Sequence, residues 1–206
     1  MSTSIMLKGR GDIDCTDYHV GKQRRKSFRK SLDPGNDVVF ADLLFPGVHN
    51  GSQFTSVLVV KGVFSRFVNI YMLKSKNERV VNQTMQHRLR QWDIEDTGKV
   101  STDKGTEFCN KTIERWYKEK GIVHNKVRPK TSQLNMVERT HQTLIGIVKP
   151  MMHKSGLLKS FGVHALVTAV YTKNRVFCNG TGRTSYELMY GSKLDIHHIR
   201  TFELLA

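Results

Sequence analysis

VVFADLLF, residues 38–45, decides how this chain is read. It is an apolar, β-prone run with one carboxylate, Asp42, at its centre, where a charge is expensive unless something compensates it. Outward from it, Pro46-Gly47 ends the run and HNGSQ (49–53) forms a turn around Asn50-Gly51. FTSVLVVKGVFSRFVNIYML then supplies two β-rich runs, 54–60 and 67–73, linked through Gly62. Three apolar strands on short links predict an antiparallel meander. Residues 76–93 set Val80, Val81, Met85, Leu89 and Trp92 in a polar background, a surface-helix pattern. Residues 99–102 form a short strand that delivers Asp103 into a Gly-containing loop, and 111–120 (KTIERWYKEK) form a helix stopped by Gly121. IVHNKV (122–127) is a strand again, and 129–135 is a polar loop.

Residues 135–155 are the longest helical candidate. Val137, Leu144, Val148 and Met151 recur at helical steps on its buried face, with Met152 beside them. Asn135 is placed to cap it, and Pro150 is expected to kink it or end it early. Residues 157–177 predict a further, more apolar helix despite Gly162. The tail, 178–206, is loop-rich, with SYELMYG as a helical turn. Three strands, helix, strand, helix, strand, then helices is the order of a mixed sheet covered by helices.

The 206 residues fit one domain of ordinary size with flanking segments, and 38% hydrophobic content is enough for a core. Lys and Arg number 33 against 18 Asp and Glu, a net +15. Such a field favours polyanions, chiefly nucleic acid and less often acidic membrane surfaces; the plain alternative is a merely soluble basic protein. Cys15, Cys109 and Cys178 are too scattered for a disulfide framework and suit reduced thiols inside a cell. The first ten residues lack the apolar core of a signal peptide, and no run of about 18 apolar residues predicts a membrane span. The sequons at Asn82, Asn110 and Asn179 are then chance matches. Residues 1–37 are polar and carry GKQRRKSFRK, in which Lys22, Arg24, Arg25, Lys26, Arg29 and Lys30 place six charges in nine positions. This basic arm serves phosphate contact or nuclear import, or is simply a solvated linker.

Three carboxylates stand out: Asp42, Asp103 and Glu138, the last opening the long helix. Magnesium and manganese take hard oxygen ligands, and two such ions about 3.5–4 Å apart activate both oxygens of a phosphoryl transfer. Each acid also has a plainer use. Asp42 could cap a turn or pair with a cation, Asp103 could make an Asx turn before Lys104-Gly105, and Glu138 could answer the helix dipole. Glu107 is an alternative acid near Asp103.

The ordered blocks STDKGTEF, RWYKEKGIVHNKV, PKTSQLN and VERTHQTL resemble the catalytic core of retroviral-type integrases. More narrowly, GKQRRKSF, ADLLFPG, FSRFVNIYMLKSK, AVYTKNR, TGRTSYELMYG and HHIRTFELLA resemble the copia-type retrotransposon integrases, over most of the chain. The resemblance implies a ribonuclease-H-like α/β fold, a five-stranded mixed sheet flanked by helices. It divides the chain into a basic arm (1–37), remnant of a zinc-binding region, a catalytic core (38–177) and a C-terminal extension (178–206). It implies a two-metal polynucleotidyl transferase using two Mg²⁺ or Mn²⁺ ions for DNA 3′-end processing and strand transfer, with Asp42 bridging both ions, Asp103 holding one and Glu138 the other. Lys104, Asn135, Arg139, His141 and Lys149, with Lys22, Arg24 and Arg25 of the arm, are the candidate nucleic-acid contacts. The implied partners are double-stranded DNA (element ends and target) and further copies of the chain, with no membrane; the implied location is the nucleus.

The chain also departs from that pattern. Only 34 residues separate Asp103 from Glu138, one fewer than is usual in the family, and the gap falls in the loop before the helix. Tyr18 stands where the zinc module has a cysteine and the upstream histidine pair is absent, so no structural zinc is expected. Gly162 replaces a common Trp, and RTFELLA replaces an R-x-F-G motif. Three readings follow: an active integrase core, a catalytically inactive nucleic-acid-binding remnant of one, and an endonuclease of the same architecture acting on an RNA–DNA hybrid. The copia-like blocks after Glu138 argue against the third.

Overall fold

The computed structural model describes residues 38–45, 53–92, 98–127, 135–192, 196, 197 and 199. Strands β1 (Val38–Leu44), β2 (Ser56–Gly62) and β3 (Val68–Leu73) form the expected meander, antiparallel throughout. Helix α1 (Glu78–Gln91) leads to β4 (Lys99–Thr102), α2 (Lys111–Glu119) and β5 (Val123–Lys126). β4 lies parallel to β1 and to β5, which gives a mixed sheet in the order β3-β2-β1-β4-β5. Helices α3 (Asn135–Ser155) and α4 (Gly162–Arg175) follow, then a two-stranded hairpin, β6 (Phe177–Cys178) and β7 (Arg183–Thr184), and the short α5 (Ser185–Tyr190).

β1 is apolar on both faces because both are covered. Val39, Ala41 and Leu43 pack with Val81, Met85 and Leu89 of α1 and with Ile113, Trp116 and Tyr117 of α2. On the other face, Leu44 joins Leu144 of α3 and Leu166, Ala169 and Val170 of α4, while Phe40 meets Val137 of α3. Strand alternation therefore sends Asp42 to the α3–α4 side, between Phe40 and Leu44. The side chain of Asn174, on α4, is buried and binds both main-chain groups of Val68, accepting from N at 3.0 Å and donating to O at 2.7 Å. That clamps α4 to the edge strand β3. Phe67 lies in the turn before β3, with its ring centroid 6.5 Å from that of Tyr186 and 5.5 Å from that of Tyr190, so α5 is anchored through aromatic contacts.

Three local expectations are corrected. α3 does not end at Pro150 but continues to Ser155. Pro150 and Gly146, whose carbonyl loses its helical donor to the proline, are both exposed, so solvent can satisfy that carbonyl. The apolar segment after it is not one helix from 157 to 177: a 3₁₀ turn, Lys159–Phe161, precedes α4, and Phe177 belongs to a strand. The tail contains the β6–β7 hairpin, after which Thr184 and Glu187 form a reciprocal capping box on α5. Two of the sequons are occupied structurally. Asn82 is buried and donates to Asn110 Oδ1 at 2.9 Å, and Asn110 caps α2 through Ile113 N. No described helix is long and apolar enough to cross a membrane.

Candidate active site

The sheet register brings two of the three carboxylates together. Phe40 of β1 pairs with Ser101 of the parallel strand β4. Carried two residues further, that register sets Asp103, just past the end of β4, level with Asp42 and on the same face. Neighbouring strands are about 4.8 Å apart. From above, α3 places His141 Nδ1 at 3.8 Å from Asp42 Oδ2. Glu138 precedes His141 by one helical step of three and shares its side of the helix. All three acids thus converge on one end of the α3-covered face.

Their electrostatics agree. Burial pushes the Asp42 carboxyl up to about 6, against the pull of the Leu43 N–H, which donates to Oδ1 at 2.8 Å. Repulsion from Asp103, Glu107 and Glu138 raises it further. Among the described residues no charged cation pairs with Asp42: burial drives the His141 imidazole down to about 4, so it is neutral at pH 7. The 3.8 Å approach of His141 has ion-pair geometry without the charge, and it is too long for a hydrogen bond. His141 Nε2 is buried without a partner.

The loop after β4 is held by its own side chains. Asp103 Oδ1 accepts from Gly105 N at 3.0 Å, the Asx turn foreseen as its plainer use, and among the described residues Oδ2 has no hydrogen bond. Gly105 O accepts from Phe108 N and Cys109 N, and Phe108 is buried in the core. The Glu107 carboxylate packs against Gly105, where a Cβ would stand 2.6 Å from Oε2. Glu107 is the residue the sequence reading set aside that belongs here by its field on Asp42; its position in the DKGTE run was the available signal.

Of the candidate nucleic-acid contacts, Lys104 and Arg139 are exposed immediately beside Asp103 and Glu138. Lys149 is exposed on the same side of α3 as Glu138, three turns along, about 16 Å away. Asn135 opens α3, but its side chain lies outside the described residues, as do Lys22, Arg24 and Arg25.

Carboxylate oxygens are the donor set that divalent magnesium or manganese prefers. Among the described residues no three His, Cys, Asp or Glu side chains gather closely enough to hold one ion. A two-ion arrangement asks less: two protein carboxylates per ion, the remaining ligands being water and phosphate oxygens. Asp42, with three further acids acting on it and no cation paired with it among the described residues, fits such ions in donor chemistry and in charge.

No family model matches the chain. Solved structures do. The HTLV-2 integrase catalytic core domain, in complex with magnesium and in a trimeric form, superposes with a TM-score of 0.57 at 17% identity, over 75% of this chain and 97% of that one. The fold is that of a retroviral integrase catalytic core, ribonuclease-H-like. The BIV integrase catalytic core domain has a TM-score of 0.57 at 20% identity, over 75% of this chain and 94% of its own. A chain of the simian T-cell lymphotropic virus intasome, in complex with PP2A regulatory subunit B56 gamma, reaches 0.64 at 18% identity; 84% of this chain matches 60% of that one. At such identities the shared property is the integrase-core fold.

Proposed function

We propose that this chain is the catalytic core of a copia-type retrotransposon integrase, a two-metal polynucleotidyl transferase that processes DNA 3′ ends and joins them to target DNA. What supports the reading is the parallel register of β1 and β4, which carried two residues further sets Asp103 level with Asp42, together with the 3.8 Å approach to Asp42 of His141, three residues after Glu138 on α3. Divalent ions held there supply activation of the attacking hydroxyl and stabilisation of the departing oxygen. Asp42, central, would hold both ions, with Asp103 and Glu138 one each. The Gly105 N–H fixes Asp103 through one oxygen and leaves the other for a ligand. Lys104 and Arg139, exposed at the rim, would hold phosphates on either side of the reacting bond, contacts that carry little base information. The partners on this reading are element-end and target duplex DNA and further copies of the chain, in the nucleus.

A second reading is favoured by one observation: no three acids close on a point among the described residues. On it, the chain is an inactive DNA-binding remnant. A nicking and strand-transfer assay on labelled duplex, with and without Mn²⁺, separates the two. Metal-dependent products that vanish in Glu138→Gln support the enzyme. DNA retained on a gel, with no product from either protein, supports the remnant.

A further inference from the structure

Basic side chains from three elements meet beside the carboxylate face. Lys61 pairs with Phe40 across β1 and β2, so it points to the same side of the sheet as Asp42. Its Nζ donates to Thr140 Oγ1 at 2.8 Å, on the turn of α3 between Glu138 and His141. Lys173 Nζ, near the end of α4, donates to the main-chain carbonyl of Arg66 at 2.6 Å. Arg66 Nη1 in turn reaches Cys178 Sγ at 3.2 Å. Arg139 adds its positive field at Lys61.

Among the described residues no carboxylate neutralises this group; the acidic side chain beside it is the Cys178 thiol, whose hydrogen bonds and the Arg66 charge draw its pKa down against burial. Lys61, Arg66 and Lys173 are partly buried, and no described carboxylate stands within ion-pair distance of any of them. What holds them is a hydroxyl, a carbonyl and a thiol, one hydrogen bond for each side chain among the described residues, which leaves further N–H donors for a ligand. Burial, then the repulsion of Lys173 and Arg66, pushes the Lys61 ammonium down to about 8 against the pull of Cys178; burial brings Lys173 to about 8 as well, with Cys178 opposing and Arg66 assisting. The backbone is strained at the same point. Arg66 has φ 55°, a left-handed conformation that a side chain of its size rarely adopts. It is held there by Gly62 N to Phe67 O and by Phe67 N to Ser65 Oγ. Like charges gathered at one locus, with N–H donors left over, are what a bound anion offsets.

We propose that Lys61, Arg66 and Lys173 form an anion site that seats one backbone phosphate of a nucleic acid. The choice of a backbone phosphate rests on the reading of the Asp42 face as a nucleic-acid site, because Thr140 and Arg139 join the two on consecutive residues of α3. The paired arrangement is chemically sensible. Asp42, Asp103 and Glu138 repel a phosphate unless ions are bound, so a neighbouring cation site is needed to hold the strand in place.

The test is anisotropy of a labelled short duplex with the full chain, without divalent ions, across a range of salt. Wild type is compared with Lys61→Met, Lys173→Met, the double variant, Lys173→Arg, and Lys118→Met as an exposed control on the opposite layer. Losing one phosphate contact lowers the slope of log K against log salt by about 0.9 on duplex DNA. The double variant is expected to lose about that much slope and several-fold affinity at low salt. Lys173→Arg and Lys118→Met keep both, and the melting temperature of the double variant is unchanged or higher, since repulsion is relieved. A wild-type slope in the double variant overturns the proposal. So does lost affinity accompanied by a lowered melting temperature, which would assign the cluster to structure. A third arm adds inorganic phosphate: if it raises the melting temperature of wild type but not of the double variant, while the DNA slope is the same in both, the site takes the free ion and the backbone assignment falls. Absence of nicking or joining by wild type leaves this readout intact, because neither metal nor catalysis enters it.

Discussion

Asp42→Asn should abolish any metal-dependent chemistry and at the same time stabilise the metal-free fold. The carboxyl is raised from 3.8 to about 6 on folding, first by burial and then by its acidic neighbours. A folded-state pKa above the unfolded one means that the native protein binds the extra proton between about pH 4 and 6. Stability contributed by the protonated acid is therefore full below about pH 4 and is lost as pH rises through 6. The shift of roughly two units corresponds to about 3 kcal/mol at pH 7, taken as an order of magnitude. Asparagine is neutral at every pH and can still accept from Leu43 N–H. The variant should match wild type near pH 4 and exceed it by about 3 kcal/mol above pH 7, about 5–10 °C in melting temperature for a domain of this size. Urea denaturation from pH 4 to 8 in EDTA measures this directly. A variant no more stable than wild type at pH 7.5, or a gap that does not widen between pH 4 and 6, would refute the account of Asp42 as a buried, uncompensated charge. Adding Mg²⁺ should then close the gap from the wild-type side, because only wild type keeps the full set of ligands.

Two further outcomes are expected. Lys61 and Lys173 both fall from 10.5 to about 8 on folding. Between those values the unfolded chain holds more protons, so stability should rise from pH 8 to pH 10.5, by at most about 3 kcal/mol per lysine; Lys61→Met should flatten that rise in urea titrations, and an unchanged rise would count against the assignment. Asn174→Ala strips the main-chain N–H and C=O of buried Val68 of their side-chain partner. It should cost about 3 kcal/mol in chemical denaturation, and a loss under about 0.5 kcal/mol, the level of an ordinary surface substitution, would show that α4 does not depend on this clamp.

Much of the frame was legible because its signals are local. The apolar run VVFADLLF and the two β-rich runs after it, on short turns, implied the meander, and Lys99–Thr102 was expected as the strand before Asp103. The bounds of α3 followed from Asn135, its apolar spacing and the polar stretch preceding it. The helix runs over the whole span read from its periodicity, and of the two effects expected of Pro150 an early end did not occur, because the orphaned carbonyl of Gly146 lies on the exposed side. The β6–β7 hairpin was missed because each of its strands has only two residues, too few to show a period.

The site divides in the same way. Residue type and local setting marked Asp42, Asp103 and Glu138, and they marked Glu107 only as a neighbour in sequence. That Asp103 stands level with Asp42 depends on the parallel pairing of β1 with β4, and the neutrality of His141 depends on how deeply α3 packs. No local pattern singles out Lys61, Arg66 and Lys173 in the sequence. They become one cluster, beside the Cys178 thiol, only when β2, the β2–β3 turn and the end of α4 close on each other. Propensity and periodicity act over a few residues and are written into the sequence; desolvation and charge repulsion act over ångströms between distant segments, and only the folded chain sets those distances.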